Sequence, residues 1–320
     1  LGQPPIAAIT SPTSGAALAG PVDVVGTATD ANFLRYDLEI ALAGESSFTL
    51  LARGFSAVAG GTLGTVDPTV LLNGLYTLRL TVFDRGGNQA QAQVGVSIEG
   101  QRKVGPFSLS FVDLDVPVAG LPITITRAYD SRDKAKGDFG VGWRLGIQTF
   151  RLQTNRVLGT GWTVNHSGFN FVLSPTDEHK VTVTLPDGKV DTFDLAIEPV
   201  VSAFVPFFNF SVTYVPRAGA LGSLTPLDNV GLVTLDGQPG DIELEDDSTF
   251  NPYDPQNFLY TAADGRQITI NKTAGVQSVR DLNGNTLTFG PGGILHSSGA
   301  GIVFQRDAQG RITRITDPAG

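Results

Sequence analysis

The chain has 320 residues, with 39 glycines, 19 prolines, no cysteine and no methionine. The absence of cysteine excludes disulfides, thiolate catalysis and cysteine zinc sites, and the formal charge of −9 argues against a nucleic-acid-binding surface. Frequent glycine and proline, with only 17% charged residues, disfavour helical bundles and predict an all-β protein of short strands and tight turns.

Residues 1–100 predict a small β-sandwich. Apolar residues alternate with polar ones in the runs 36–42 and 75–83, which is the period of a strand with one buried face. Several short strands within about 100 residues are typical of an immunoglobulin-like sandwich. The segments VVGTATD (24–30) and NGLYTLRLTVFD (73–84) resemble a bacterial Ig-like or fibronectin-like surface module, which implies a spacer or adhesive role.

Residues 101–106 are short, polar and end in proline, and they predict a hinge before a second β region over 107–320. In this region the Asp187-Gly188 pair lies between two alternating runs and predicts a hairpin with a type I′ turn. Residues 216–257 contain five prolines and predict a loop-rich insertion.

Residues 258–320 carry an internal repeat of short hairpins. One such hairpin cannot bury its own apolar face, so neighbouring hairpins must join into one antiparallel sheet. The predicted turn positions are Asp264, Gly265, Asp281, Gly284, Asp307, Gly310, Asp317 and Gly320.

Two segments resemble the Rhs/YD-repeat family, and the resemblance covers about residues 107–320. The motifs DLNGNTLTF (281–289) and IVFQRDAQGRITRITDPAG (302–320) are similar to its repeats, and GLPITITRAYDSR (120–132) with GDFGVGW (137–143) is similar to the segment that opens its repeat array. The resemblance implies a spiralling, curved sheet that closes as a hollow shell around a C-terminal toxin or forms part of a surface adhesion molecule. This chain would be the beginning of such a shell.

The sequence predicts no catalytic set and no cofactor. The three histidines, His166, His179 and His296, are isolated, and neighbouring Ser and His side chains on a strand point to opposite faces. The glycines at 140, 142 and 146 miss the dinucleotide-binding spacing by one position and predict a corner in a bent sheet. The D-P-x-G motif at Asp317 is linked to self-cleavage in the resembled family, but an ordinary repeat strand precedes it, and we interpret it as a turn.

Two acidic groups are candidate sites for a hard cation. Asp113 and Asp115 lie two apart, on one face of a predicted strand. The acidic run 241–247 could supply oxygen ligands to Ca²⁺ from a loop, and a solvated acidic surface is the alternative interpretation of both groups. The candidate Ca²⁺ ligands are Asp241, Glu243, Glu245, Asp246 and Asp247.

We therefore expect a non-catalytic structural, encapsulating or adhesive part of a large extracellular or cell-surface Rhs/YD-repeat protein, with its export signal upstream. The expected partners are the rest of its own chain, neighbouring subunits, a surface receptor or an enclosed toxin. The expectation includes neither nucleic acid nor a membrane span, because the longest apolar stretch, 200–215, is too short to span a bilayer as a helix.

Two alternatives stay open. One is a self-associating extracellular fibre subunit that uses β-strand complementation, with residues 1–10 as the donor segment. The other is a carbohydrate-binding or carbohydrate-active β protein. The aromatic residues that would line its groove are Trp143, Trp162, Tyr253 and Tyr260.

Overall fold

The computed structural model describes residues 3–100, 107–203, 209–228, 231–234 and 242–320. Across these ranges the chain is 58% strand without an α-helix, which confirms the predicted all-β class. Two short 3₁₀ helices span Pro68–Val70 and Gly146–Thr149. Within the same ranges, no helix is long and apolar enough to cross a membrane.

The chain divides into two compact units. The first consists of Leu1–Phe107 and Ser131–Ala135, and the second of Ser108–Asp130 and Lys136–Gly320. The predicted hinge at 101–106 lies outside the described residues.

The first unit is a sandwich of two sheets. Its strands are β1 (Ile6–Ser11), β2 (Ala16–Leu18), β3 (Val22–Thr29), β4 (Phe33–Leu42), β5 (Thr49–Gly54), β6 (Val58–Val66), β7 (Gly74–Asp84) and β8 (Gln89–Ile98). One sheet has the order β1-β3-β6 and the other β2-β8-β7-β4-β5. Val24 and Leu63 of the first sheet share one buried core with Leu38 and Leu80 of the second, because strand alternation turns one face of each sheet inward.

The proposed donor segment is already used within the first unit. Strand β1 pairs antiparallel with β3, and Ile6 lies opposite Thr29 and Ile9 opposite Gly26. The donor hypothesis is therefore wrong for residues 6–10, because this segment already pairs with a strand of its own unit.

The second unit contains the remaining strands. They are β9 (Ser108–Val116), β10 (Ile123–Asp130), β11 (Lys136–Gly137), β12 (Gly140–Val141), β13 (Trp143–Leu145), β14 (Arg151–Thr154), β15 (Trp162–Ser167), β16 (Asn170–Pro175), β17 (Lys180–Thr184), β18 (Val190–Glu198), β19 (Val201–Ala203), β20 (Asn209–Pro216), β21 (Ser223–Pro226), β22 (Gly231–Thr234), β23 (Leu244–Asp246), β24 (Asn257–Thr261), β25 (Gln267–Asn271), β26 (Gly275–Arg280), β27 (Thr286–Gly290), β28 (Gly293–His296), β29 (Gly301–Arg306) and β30 (Ile312–Thr316). They form sheets of order β11-β12-β13-β10-β9, β14-β17-β18-β20-β22-β23, β15-β16-β19 and β21-β24-β25-β26-β27-β28-β29-β30.

The eight-stranded sheet contains the predicted repeat. Its last seven strands follow one another in sequence, and every neighbouring pair in the sheet is antiparallel. Alternate residues face a common core, as expected from a period of two. Buried residues of this face include Phe258, Tyr260, Ile268, Ile270, Val276, Val279, Leu287, Phe289, Ile294, Ile302, Phe304 and Ile312.

Residues 216–257 are more regular than predicted. They supply β21 to the eight-stranded sheet and β22 and β23 to the six-stranded sheet. Pro216 and Pro226 each end a strand, where a missing backbone N–H is tolerated. The described residues of the predicted loop-rich insertion thus include three short strands that belong to two sheets.

The hairpin between β17 and β18 has a different turn from the predicted type I′. Leu185 N–H donates to the carbonyl of Lys189, and Gly188 N–H donates to the carbonyl of Leu185. Gly188 has a φ of 82°, whereas Asp187 has a negative φ. The loop is therefore a type I turn followed by a left-handed glycine, because Pro186 occupies the second turn position and fixes its φ there.

Candidate functional site

The turn at Asp281 joins β26 to β27 and is held by its carboxylate. The carboxylate accepts the N–H groups of Asn283 at 2.9 Å and Asn285 at 2.8 Å, and the Asn285 side-chain amide at 2.7 Å. Gly284 follows with a φ of 87°. The side-chain hydrogen bond from Asn285 holds the pKa of Asp281 below its ordinary value. The turn is thus stabilised by the ionised carboxylate.

The same turn occurs at Asp307, where the carboxylate accepts the N–H of Gln309 at 3.0 Å and of Arg311 at 2.9 Å. It also occurs in the first unit at Asp84, whose carboxylate accepts the N–H and the side-chain amide of Asn88, each at 2.7 Å. The shared signal is Asp, then Gly three positions later, then Asn or Arg.

The other two predicted turns differ in detail. At Asp264 the turn begins two residues earlier, because Ala262 N–H donates to the carbonyl of Arg266. Asp264 occupies the third position and accepts the N–H of Arg266 at 3.1 Å. Asp317 accepts the N–H of Gly320 at 3.0 Å. All four turns predicted in residues 258–320 contain a left-handed glycine, whereas the position of Asp within the turn varies.

Gly284→Ala is expected to destabilise the second unit by about 1–2 kcal/mol, because alanine is disfavoured in the left-handed region. Its Cβ would meet only the Arg280 guanidinium, at 3.7 Å, so steric overlap is not the cause. Urea unfolding of the full chain measures the change. Gly292→Ala is the matched control, since Gly292 has open space and no positive φ. Equal loss in both variants would contradict the prediction.

Asp113 and Asp115 do not form a carboxylate pair. Two hydrogen bonds join the Asp113 carboxylate to Arg127, including one of 2.8 Å from Nη2. Asp115 accepts a hydrogen bond of 2.7 Å from the Thr124 hydroxyl. Each carboxylate thus has its own cross-strand partner on β10.

The candidate Ca²⁺ residues do not assemble into a metal site in the part of the chain that the structure describes. Asp241 lies outside the described residues, and Glu243 and Asp247 are exposed. Partial burial opposes ionisation of Asp246, but hydrogen bonds from Ser248 and Thr249 lower its pKa to about 2. Its carboxylate closes its own loop, and no group of three acidic or histidine side chains that could hold a metal occurs in the described ranges.

Two of the three histidines have local structural contacts. His296 is buried, and its Nδ1 accepts the N–H of Ser298 at 3.0 Å. His179 is also buried, stacks on Trp162 at 4.5 Å between ring centroids, and donates from Nε2 to the carbonyl of Thr160 at 2.7 Å. The side chain of His166 lies outside the described part of the structure.

Burial lowers the pKa of His179 from its ordinary value of 6.5. The unfolded chain therefore binds more protons than the folded chain as the pH falls below about 6.5, and the free energy of unfolding falls with it. Urea unfolding at pH 7.5 and pH 5.5 measures this difference. We expect the free energy of unfolding to differ less between pH 7.5 and pH 5.5 in His179→Gln than in the wild type. The value of each protein at pH 7.5 serves as its own reference. An unchanged difference would show that His179 does not cause it.

Of the four aromatic residues predicted to line a sugar groove, three are buried and one is partly accessible. Trp162, Tyr253 and Tyr260 are 2%, 2% and 1% exposed, and the prediction is wrong for these three because they fill the core. The Tyr253 hydroxyl lies 3.1 Å from that of Tyr214. Burial raises the pKa of Tyr253 to about 12. Only Trp143 of the four is partly accessible.

A buried carboxylate links two sheets of the second unit. Asp191 on β18 is 2% exposed and accepts the Tyr260 hydroxyl of β24 at 2.7 Å. It also accepts the N–H groups of Leu221 at 3.0 Å and Gly222 at 2.9 Å. Burial and the acceptor Asp191 raise the pKa of Tyr260. These groups hold the connection before β21 in place.

Trp143 belongs to an aromatic cluster, which consists of Phe111, Tyr129, Phe139 and Trp143 around Arg127. The rings of Phe111 and Trp143 are within 20° of parallel, with centroids 6.3 Å apart, and Tyr129 lies 5.0 Å from Trp143. The guanidinium carbon of Arg127 is 5.9–6.0 Å from the rings of Phe111, Phe139 and Trp143. Sequence reasoning missed this cluster, because only the register of β9, β10 and β13, together with the turn between β11 and β12 that contains Phe139, brings its members together.

Residues 103–153 match the family described as "Domain of unknown function (DUF6531)", and every member of the aromatic cluster lies in this segment. No curated protein matches the chain. A solved structure of a DUF4784 family protein from Bacteroides caccae aligns at 9% identity over 98% of this chain and 84% of that chain. Its TM-score of 0.17 is too low to support any inference about the fold. The DUF6531 domain is found in Rhs/YD-repeat-type proteins, and residues 103–153 are similar to it.

Proposed function

We propose that this chain is a non-catalytic structural part, encapsulating or adhesive, of a large secreted or cell-surface protein of the Rhs/YD-repeat type. The eight-stranded sheet carries the proposal, since several of its hairpin turns share a left-handed glycine, among them Gly265, Gly284 and Gly310. The match of residues 103–153 to a domain found in such proteins supports it. The first unit would then serve as an Ig-like module.

The sheet suits a repeat because each added hairpin pairs with the preceding strand and extends the same buried face. In the described ranges β30 pairs with no strand other than β29. On its other edge the Ile312 N–H donates to the carbonyl of Asp138, and the rest of this edge has backbone groups that a further strand could bind. The proposed partners are accordingly the remainder of a longer chain or neighbouring subunits, with a surface receptor or an enclosed toxin as the proposed biological target.

Cell fractionation tests the extracellular role. An antibody raised against residues 1–320 should detect the protein at the surface of intact producing cells or in the medium. Proteinase K added to intact cells should remove the surface signal. A signal confined to the cytoplasm and protected from the protease would contradict the proposal.

A self-associating fibre subunit is the second candidate, and it is favoured by the edge of β30 that no other strand covers within the described ranges. Light scattering of the purified chain over a hundredfold range of concentration measures its mass. Growth of the mass with concentration would support the fibre, and a constant monomer mass would exclude it.

A further inference from the structure

The chain contains two Asn-Gly dipeptides, Asn73-Gly74 and Asn283-Gly284, and the structure places them in different surroundings. Asparagine before glycine is prone to spontaneous deamidation, because glycine has no side chain to hinder attack of its backbone nitrogen on the asparagine side chain. The attack also needs a side-chain amide that is free to rotate toward that nitrogen. The hydrogen bonds and burial of each dipeptide therefore indicate where the reaction occurs.

Asn73 is held in place. Its side chain is partly buried, and its amide donates to the carbonyl of Gly100 at 3.2 Å. Gly74 is buried and begins β7, where it lies opposite Ile98 of β8. Movement of Gly74 toward the Asn73 side chain would open the end of this strand pairing. The folded structure thus protects Asn73 from deamidation.

Asn283 is exposed in the turn between β26 and β27, and so is Gly284. The backbone N–H of Asn283 donates to the Asp281 carboxylate at 2.9 Å, but its side-chain amide has no hydrogen-bond partner among the described residues. Gly284 N–H donates to the Asp281 carbonyl at 3.2 Å, which is at the long end of the range for such bonds. The Asn283 side chain is therefore free to rotate toward the Gly284 nitrogen.

A positive charge lies beside this dipeptide. A Cβ added to Gly284 would lie 3.7 Å from Nη2 of Arg280, so the guanidinium approaches the backbone at this position. Attack on Asn283 places negative charge first on the Gly284 nitrogen and then on the asparagine side-chain oxygen, and a nearby cation stabilises charge that develops in this way. The opposing charge of Asp281 is partly compensated by the three donors that its carboxylate accepts.

We propose that Asn283 is a site of spontaneous modification, at which asparagine converts to aspartate and isoaspartate. The Gly284 nitrogen loses its proton and bonds to Cγ of Asn283, the bond from Cγ to Nδ2 breaks, and the nitrogen leaves as ammonia with the proton. Water then opens the cyclic imide. Hydrolysis of the bond to Cγ gives aspartate, and hydrolysis of the bond to the backbone carbonyl gives isoaspartate. Water is the one co-reactant.

The modification changes a turn of the eight-stranded sheet. Isoaspartate adds one carbon atom to the backbone between residue 283 and Gly284. Either product also places a second carboxylate close to that of Asp281, and like charges repel each other. We expect the modified chain to have a lower urea midpoint than the fresh chain. The inference goes beyond the proposed function and does not depend on it.

Incubation of the full chain at mildly alkaline pH, followed by mass spectrometry of its peptides, tests the proposal. The peptide that contains Asn283 should gain about 1 Da and accept a methyl group from an isoaspartate methyltransferase, whereas the peptide that contains Asn73 should stay unchanged. In concentrated urea both peptides should convert at similar rates, because unfolding removes the contacts of Asn73. Asn283→Gln is the control, since glutamine forms the corresponding larger ring far more slowly.

Arg280→Gln should slow the conversion of Asn283 by about twofold to fivefold, because it removes the nearby positive charge. Arg280→Lys keeps this charge and should retain most of the rate. The urea midpoint of each variant establishes that it is folded. Equal rates in Arg280→Gln and the wild type would overturn the role assigned to Arg280.

Two results would overturn the proposal as a whole. One is an unchanged Asn283 in the folded chain after a period in which urea converts both sites. The other is conversion of Asn73 in the folded chain as fast as that of Asn283, which would show that the structure does not select between them. Surface localisation of the protein is measured separately, so neither result bears on the proposed structural role.

Discussion

Asp191→Ala is expected to lower the free energy of unfolding of the second unit by about 3–5 kcal/mol. The substitution leaves three donors without an acceptor, namely the buried Tyr260 hydroxyl and the partly buried N–H groups of Leu221 and Gly222. Each unpaired buried donor costs about 1–3 kcal/mol. Asp191→Asn should cost less, because its amide oxygen can still accept hydrogen bonds from the same donors. Urea unfolding of the full chain measures both variants.

Asp194→Ala is the matched control on the same strand. The Asp194 side chain is 43% exposed and pairs with Arg217, and such surface pairs contribute about 0–1 kcal/mol. A double-mutant cycle of Asp191→Ala with Tyr260→Phe isolates the hydrogen bond between these two residues. The role assigned to Asp191 would be wrong if Asp191→Ala and Asp194→Ala destabilised the unit equally.

Gly159→Ala is expected to destabilise the second unit by about 3 kcal/mol or more, since the added methyl group has no space. Its Cβ would lie 2.2 Å from the carbonyl oxygen of Leu244 and 2.4 Å from the backbone nitrogen of Tyr253. Both atoms belong to backbone, so neither can move away by a side-chain rotation. Gly159 also donates its N–H to the carbonyl of Tyr253, at 2.7 Å, and accepts from Leu244 N–H at 2.7 Å.

Gly290→Ala supplies the control for this steric effect. Gly290 lies in β27 of the same unit, and a Cβ there would meet nothing within 4 Å. We expect its unfolding midpoint to stay within experimental error of the wild type. A normal midpoint for Gly159→Ala would show that the loop can shift away from β23, and the close approach would then not constrain the fold.

Local patterns in the sequence were sufficient to predict the fold class and many of the strands and turns of the second unit. In the first unit too, alternation in the run 75–83 predicts a strand with one buried face, and the structure buries Leu78, Leu80 and Val82 of that face. The Asp and Gly spacing at Asp281 and Gly284 predicts a turn, since the carboxylate binds the backbone of its own loop and glycine tolerates a positive φ. These interactions span only a few residues, so strands and turns of this kind can be predicted from the sequence alone.

Tertiary structure decided which polar and aromatic residues meet. Asp191 and Tyr260 are 69 residues apart and become partners only when the sheets of β18 and β24 pack together. The register of β9 against β10 places Arg127 beside Asp113, and the two side chains form hydrogen bonds. Asp113 therefore does not form a carboxylate pair with Asp115. Trp143 and Trp162 are the same residue type in neighbouring segments, yet one lies in the accessible aromatic cluster and the other in the core. By itself the sequence determined the fold class, the strands with clear alternation and the positions of several turns, because these depend on period and backbone preference. Packing between distant strands determined which aromatic side chains are buried and which stay accessible, because side-chain exposure depends on what covers each sheet.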